Sequence, residues 1–209
     1  MQWIKPGFGV FLAALTMSLW SISFWGGDLA TSIFDTASPS GDSAILQTLD
    51  QNLAASGVYR FPGQPQDDPL ALYQQAKQGP AGLLFFVKEG IDPLSIRAII
   101  SGFLHMLITA LGLGVALCLF TKPGQRYRQR MGIVVLIGLV AVFFSRLGGV
   151  VWYVENLSYY LWTAFHDMGV YLLAGAILAM FIKHDGQPSK APEFDMQDDV
   201  RLNDHHRSP

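Results

Sequence analysis

Four long apolar stretches alternate with polar segments along the chain. They cover residues 7–25, 96–120, 132–153 and 157–182. Each stretch meets the ~20 mostly apolar residues that an α-helix needs to cross ~30 Å of hydrocarbon. The pattern therefore predicts a membrane all-α protein built as a bundle of four transmembrane helices, with the first helix inside residues 1–25.

The first apolar stretch resembles a signal peptide in one respect, because a basic residue, Lys5, precedes it. It is long for the apolar region of a signal peptide. Trp20, Phe24 and Trp25 also stand where a cleavage site requires small residues. These features favour an uncleaved membrane anchor.

Residues 26–95, here called the connecting module, separate the first two apolar stretches and carry alternating helix and strand signals. Asp42 is a candidate N-cap for a helix that ends near Ala55. The sequence GVYRF at Gly57–Phe61 has the composition of a short strand, and a Pro-Gly pair ends it. We therefore predict a small folded α/β module.

A second helix of the connecting module has a stronger signature. Asp68 and the following proline form an N-cap and first-position pair, and Gly79 with Pro80 marks the end. Residues 82–87 (GLLFFV) then resemble a second strand, and a helical crossover of this length allows parallel pairing with the first. Asp92 and its proline repeat the cap signal and predict the start of the second transmembrane helix.

Charges are scarce and strongly segregated, which predicts an orientation. Apolar residues make up 51% of the chain and charged residues 14%, as expected for a protein whose solvent is a bilayer. The link at residues 121–131 contains four basic residues and no acid: Lys122, Arg126, Arg128 and Arg130. Positive charge is retained on the cytoplasmic side, so this link and, with four spans, both termini are expected there.

The remaining charges agree with that orientation. Residues 26–97 contain eight acidic residues against four basic ones, which suits an extracytoplasmic connecting module. Residues 183–209 contain six acids and few apolar residues, and they are predicted to be a disordered cytoplasmic tail. The net charge of −2 gives no basic field for nucleic acid. The expected partners are the lipid bilayer, other membrane subunits or a second copy of the chain.

Two motifs in the connecting module carry a family resemblance. The sequences SGVYRFPG (residues 56–63) and GPAGLLFF (residues 79–86), followed by a helix at DPLS, resemble an uncharacterised family of bacterial inner-membrane proteins with four predicted spans. The resemblance implies a bacterial origin, the inner (cytoplasmic) membrane and a multi-pass topology. It implies no activity and no site residues.

Four ionisable residues inside the spans form the candidate site: His105, Arg146, His166 and Asp167. At ~1.5 Å per residue, they lie at a similar depth, roughly 15 Å below the outer ends of their helices. A charge in hydrocarbon costs at least ~2.5–3.5 kcal/mol and is rarely kept without a partner. Because a short turn joins the last two helices, we predict that Arg146 and Asp167 form a buried ion pair near His105. Thr16 or Ser18 of the first helix would reach about the same depth.

Several roles for this polar layer stay open. The pair is a structural clasp of the helical hairpin, or it handles a proton, an ion or a quinone. His105 and His166 together resemble the axial ligands of haem b in a four-helix bundle, so a haem- or quinone-binding protein is one alternative. A small proton-coupled transporter or channel is the other.

The sequence favours a non-enzymatic protein. It contains no phosphate loop, nucleophile elbow, HExxH motif or carboxylate pair, so no catalytic residue is predicted. Cys118 is the only cysteine, and no metal site is expected. The interpretation is an accessory or interaction protein of a larger membrane complex.

Overall fold

The computed structural model describes residues 4–63, 68–153 and 156–182 of the chain. The predicted tail at residues 183–209 lies outside the described residues. The elements in chain order are listed here: α1 (Ile4–Trp25), α2 (Asp28–Thr31), α3 (Pro39–Asn52), β1 (Gly57–Phe61), α4 (Pro69–Gln78), β2 (Gly82–Phe86), α5 (Ile96–Phe120), α6 (Tyr127–Tyr153) and α7 (Leu157–Phe181). The chain is mostly helical with one small sheet, and α1, α5, α6 and α7 are long and apolar enough to cross a membrane.

The four long helices pack around α7. This helix contacts α6 and α1 most extensively, α1 also packs against α5, and α5 barely touches α6. Small residues let the helices approach closely, since an added Cβ at Gly169 would lie 2.7 Å from the Trp20 indole and one at Gly138 would lie 2.8 Å from Tyr171. The core of the bundle is mainly small or aliphatic: Ala13, Ala14, Met17, Ala110, Leu113, Leu117, Val134, Val170, Ala174, Leu178 and Ile182.

The outward faces of these helices are strongly apolar. Phe144 of α6 is 83% exposed, Leu119 of α5 is 73% exposed and Ile22 of α1 is 64% exposed. So large an exposed apolar area is unfavourable in water and favourable in hydrocarbon. The architecture is compatible with a multi-pass membrane protein.

The third long helix starts earlier than the sequence indicated. It begins at Tyr127 rather than at residue 132, so the link between α5 and α6 is shorter than residues 121–131. Arg130, predicted as a loop charge, is only 7% exposed, and its Nε donates to the carbonyl oxygen of Ala179 at 3.0 Å. It thereby satisfies one of the carbonyls that the end of α7 leaves open, a role that periodicity does not reveal.

The two strands of the connecting module pair antiparallel, which corrects the parallel prediction. Val58 lies opposite Phe85, and Tyr59 lies opposite Leu84. A parallel pair needs a crossover that carries the chain back over the sheet. In the described residues α4 makes at most slight contact with either strand, so the chain turns back as a wide hairpin.

Two helix starts also differ from prediction. The N-cap of α3 is Ser38, whose Oγ accepts from the Gly41 N–H at 3.2 Å, while Asp42 lies in the first turn and the helix ends at Asn52. Ser95 caps α5, whereas Asp92 closes the turn before it by accepting from the Leu94 N–H at 3.0 Å. In both cases a serine directly before the helix is the cap. Asp68 caps α4 as predicted, and Gly79 (φ 70°) ends that helix.

Lys88 holds the connecting module together at the end of α3. Its Nζ donates to the carbonyl oxygens of Asp50 and Leu53 at 2.8 and 3.0 Å, and it lies 3.1 Å from the Asp50 carboxylate. The residue thus ties the open C-terminal carbonyls of α3 to the chain that follows β2. This contact links the end of α3 to the two-stranded β1–β2 ribbon without creating a hydrophobic core.

Candidate functional site

An ion pair joins the two helices of the α6–α7 hairpin. Arg146 Nε donates to Asp167 Oδ2 at 2.8 Å, and the two side chains keep 34% and 21% of their surface exposed. Arg146 lies seven residues before the end of α6, and Asp167 lies ten residues after the start of α7. The pair predicted from common depth is therefore present, and each of these two charges has a countercharge.

His166 continues this pair into a chain of hydrogen bonds. Its Nδ1 lies 2.9 Å from Asp167 Oδ1, and its Nε2 lies 3.0 Å from Ser21 Oγ of α1. A carboxylate only accepts hydrogen bonds, so Nδ1 carries a proton; in the neutral imidazole Nε2 then accepts from the serine hydroxyl. The order Arg146–Asp167–His166–Ser21 spans three helices, and His166 is only 6% exposed.

Aromatic residues of α1 hold His166 in place. Trp20 donates its indole N–H to the His166 carbonyl oxygen at 3.0 Å, and it fits there because Gly169 has no side chain. The rings of Phe24 and Trp25 lie 4.9 and 5.4 Å from the imidazole, centroid to centroid. The imidazole is thus enclosed by rings on the α1 side.

The contribution of α1 differs from the sequence expectation. Thr16 and Ser18, predicted at this depth, donate their hydroxyls to the carbonyl oxygens of Leu12 and Ala14 within the same helix. Ser21 lies 3.0 Å from His166 Nε2 instead, four residues before the end of α1 at Trp25. A signal was present, since Trp20 and Phe24, four residues apart, place two rings on one face of α1.

His105 lies across a cavity from the other three residues. The cavity holds about 310 Å³ and is lined by His105 and Thr109 of α5, Arg146 of α6, and Asp167 and Tyr171 of α7, with Met106, Val170, His166 and Trp25 completing the wall. It lies between α5 and α6, which make few contacts with each other, and α7. The structure brings all four predicted residues to one cavity, with three of them joined directly by hydrogen bonds.

Ser21, His166 and Asp167 have the hydrogen-bond order of an activated serine nucleophile. An enzyme that uses such a serine for acyl transfer also needs hydrogen-bond donors for the oxyanion that forms during the reaction. Because α1 is helical from Ile4 to Trp25, the backbone N–H groups around Ser21 are used inside the helix. The arrangement therefore suits the orientation of the His166 ring and its proton better than it suits acyl transfer.

The site also constrains a cofactor. An axial haem ligand needs a ring nitrogen free to face the iron. Both ring nitrogens of His166 have partners, so ligation would require it to leave Ser21 or Asp167. In the described part of the chain no group of three or more His, Cys, Asp or Glu side chains is placed to hold a metal ion.

Comparisons of the chain with protein-family models, with curated proteins and with solved structures return no match. The geometry of the chain itself therefore carries the functional argument.

Proposed function

We propose that this chain is a bacterial inner-membrane protein that serves as a non-enzymatic accessory or interaction subunit of a larger membrane complex. Both termini lie in the cytoplasm in this proposal, and the connecting module lies outside. The four long helices support the membrane location. The cluster of Lys122, Arg126 and Arg128 near the α5–α6 link supports the orientation.

The observation that carries the proposal is the bare surface of the connecting module. On one face of the ribbon, the cross-strand pair Val58 and Phe85 is 63% and 77% exposed. Helix α3 has no buried residue, and its Leu46 is 58% exposed; on α4, Leu70 is 66% exposed. Apolar surface of this kind in water marks a contact site, so we assign the module to binding another protein.

The packing of the bundle favours an interaction role over a channel. Met17, Leu117 and Leu178 are completely buried in the core. A conducting path would have to pass this apolar layer, since the polar side chains of the candidate site gather near the end of α1. No specific observation favours transport.

The test measures the mass of the native particle in mild detergent. The wild-type chain is expected in a complex heavier than one copy. Replacing Val58 and Phe85 together by serine should release it, because those side chains form the bare face of the ribbon. Arg60→Ser is the matched control, since Arg60 is exposed on the same face of β1 and already polar. A wild-type particle of one chain would contradict the proposal.

Orientation is tested separately with reporter fusions. A phosphatase joined within the connecting module should be active, and one joined after Arg126 should be inactive. The reverse pattern would overturn the topology. Binding of the purified protein to lipid vesicles that depends on Val58 and Phe85 would assign the bare face to the membrane surface instead of a protein.

A further inference from the structure

The cavity between α5, α6 and α7 has features that packing alone does not require. His105 lies nine residues into α5, or roughly 14 Å along the helix, and is nevertheless exposed. Arg146 and Asp167 also keep part of their surface open at similar depth. Exposure this far along the helices indicates that the cavity opens through the side of the bundle, between α5 and α6, which make few contacts with each other.

A side opening in a membrane helix bundle faces hydrocarbon rather than water. The polar wall of the cavity would then meet lipid tails, which offer no hydrogen bonds, unless a ligand with polar atoms fills it. Such a ligand must itself dissolve in the membrane to arrive by this route. The location therefore selects a lipophilic molecule with a polar head.

The charge of the cavity wall further restricts which polar headgroup the ligand can have. Arg146 and Asp167 neutralise each other at 2.8 Å, and the remaining polar residues of the wall are histidines and hydroxyl-bearing side chains. A net-neutral wall gives no advantage to a phosphate headgroup. His105 and Tyr171 bring N–H and O–H groups that suit carbonyl oxygens, while Met106 and Val170 supply apolar contact for a flat ring.

We infer that this cavity binds the ring of a quinone-type molecule, a neutral membrane-soluble compound with carbonyl oxygens, whose tail leaves between α5 and α6. The cavity volume of about 310 Å³ accommodates one substituted six-membered ring. The hydrogen-bonded chain from Arg146 to Ser21 holds the back wall rigid. This inference goes beyond the accessory role and stands without it, because binding requires only the isolated chain.

The test titrates the purified full-length chain in maltoside micelles with decylubiquinone. One-to-one saturable binding is expected for the wild type. Tyr171→Phe, which removes one hydroxyl and keeps the ring, and His105→Leu should each weaken binding roughly threefold to tenfold. Tyr160→Phe is the matched control, because Tyr160 lies on the same helix but lines a different, outward groove. Val170→Phe should block binding by filling the cavity.

Two further probes test whether the cavity recognises the quinone ring, rather than the apolar tail or a lipid headgroup. Dodecylbenzene has a ring and a chain but no carbonyl oxygen, and phosphatidylglycerol has a charged head; neither should compete with decylubiquinone. Absence of saturable binding, equal binding by all variants, or competition by dodecylbenzene would overturn the inference. Tyr171→Phe changes a single atom, so the test remains decisive if His105→Leu fails to fold.

Discussion

The helix bundle and the connecting module differ in which kind of side chain lies in unfavourable surroundings. In the bundle, polar side chains lie in apolar surroundings, and Arg146, Asp167, His166 and Ser21 satisfy one another across three helices. In the module, apolar side chains such as Phe85 lie on open surface. The described buried side-chain polar atoms all have hydrogen-bond partners, whereas much of the module's apolar surface is uncovered.

This contrast shows which region is complete by itself. A polar group in hydrocarbon has no solvent to bind, so its partner comes from the same chain or from a molecule bound there. An apolar side chain outside the bundle can instead be covered by another molecule. Ser21, His166, Asp167 and Arg146 of the bundle therefore bond to one another, while the described part of the module is held by hydrogen bonds at its turns and caps and leaves many apolar side chains uncovered.

The largest effect should follow from breaking the ion pair. Removing one member of a buried pair typically costs about 3–5 kcal/mol, because the survivor is left uncompensated. Asp167→Ala should cost more than Arg146→Ala, since the carboxylate bonds to both Arg146 and His166. Unfolding of the purified variants in mixed micelles with increasing dodecyl sulfate measures both losses.

The double variant separates structure from function. Replacing Arg146 and Asp167 together by apolar residues should restore much of the stability if the pair only joins α6 to α7. Quinone binding should remain weakened, because the polar wall is gone. Single variants as stable as the wild type, together with a less stable double variant, would contradict the pairing.

Close packing of α1 on α7 gives the next effect. Gly169→Ala places a methyl group 2.7 Å from the Trp20 indole, so Trp20 must move away from the His166 carbonyl oxygen. Overpacking of this kind costs about 1–3 kcal/mol. Gly112→Ala is the control, because nothing lies within 4 Å of its added Cβ. The same unfolding assay should show a loss for the first and none for the second.

Much of the bundle could be predicted because the bilayer restricts the solutions. Length and hydropathy located four helices, and the depth of Arg146 and Asp167 along a hairpin indicated their contact. Length, hydropathy and depth could not predict which face of α1 points toward His166. Thr16, Ser18 and Ser21 are all small polar residues on one helix, and only the packing of Trp20 against Gly169 decides that Ser21 faces His166.

The module was harder to predict because several residues compete for each role. Ser38 and Asp42 are both good caps, as are Asp92 and Ser95, and local composition does not choose between them. Strand direction depends on whether α4 packs over the ribbon, which is a tertiary contact. Arg130 was assigned to the loop because a charge count does not show that the end of α7 has an open carbonyl nearby.

A local loss is expected from removing the cap of α4. Asp68 Oδ1 accepts from the N–H groups of Leu70 and Ala71 at 2.9 and 3.1 Å. Asp68→Ala should cost about 0.5–2 kcal/mol, confined to α4 because this helix has little contact with other elements. Amide exchange across Leu70 to Lys77 measures the change, and Asp68→Asn should retain most of the protection. Fast exchange there in the wild type would leave no helix for the cap to protect.

The smallest effect concerns pH at the junction after β2. The Ser56 hydroxyl donates to Glu89 Oε2 at 2.6 Å and lowers the pKa of that carboxyl below its usual range, while Ser56 Oγ accepts from the Lys88 N–H at 2.9 Å. When folding lowers the pKa of a carboxyl, its ionised form stabilises the folded state. This stabilisation is fully present above the pKa of the unfolded state and is lost as the pH falls through the pKa of the folded state. Protection of the Lys88 amide, corrected for intrinsic exchange, should therefore decrease as the solution is acidified below the ordinary carboxyl range. In Glu89→Gln the profile should be flat. Equal pH profiles in the two proteins would mean that Glu89 does not hold Ser56 in place.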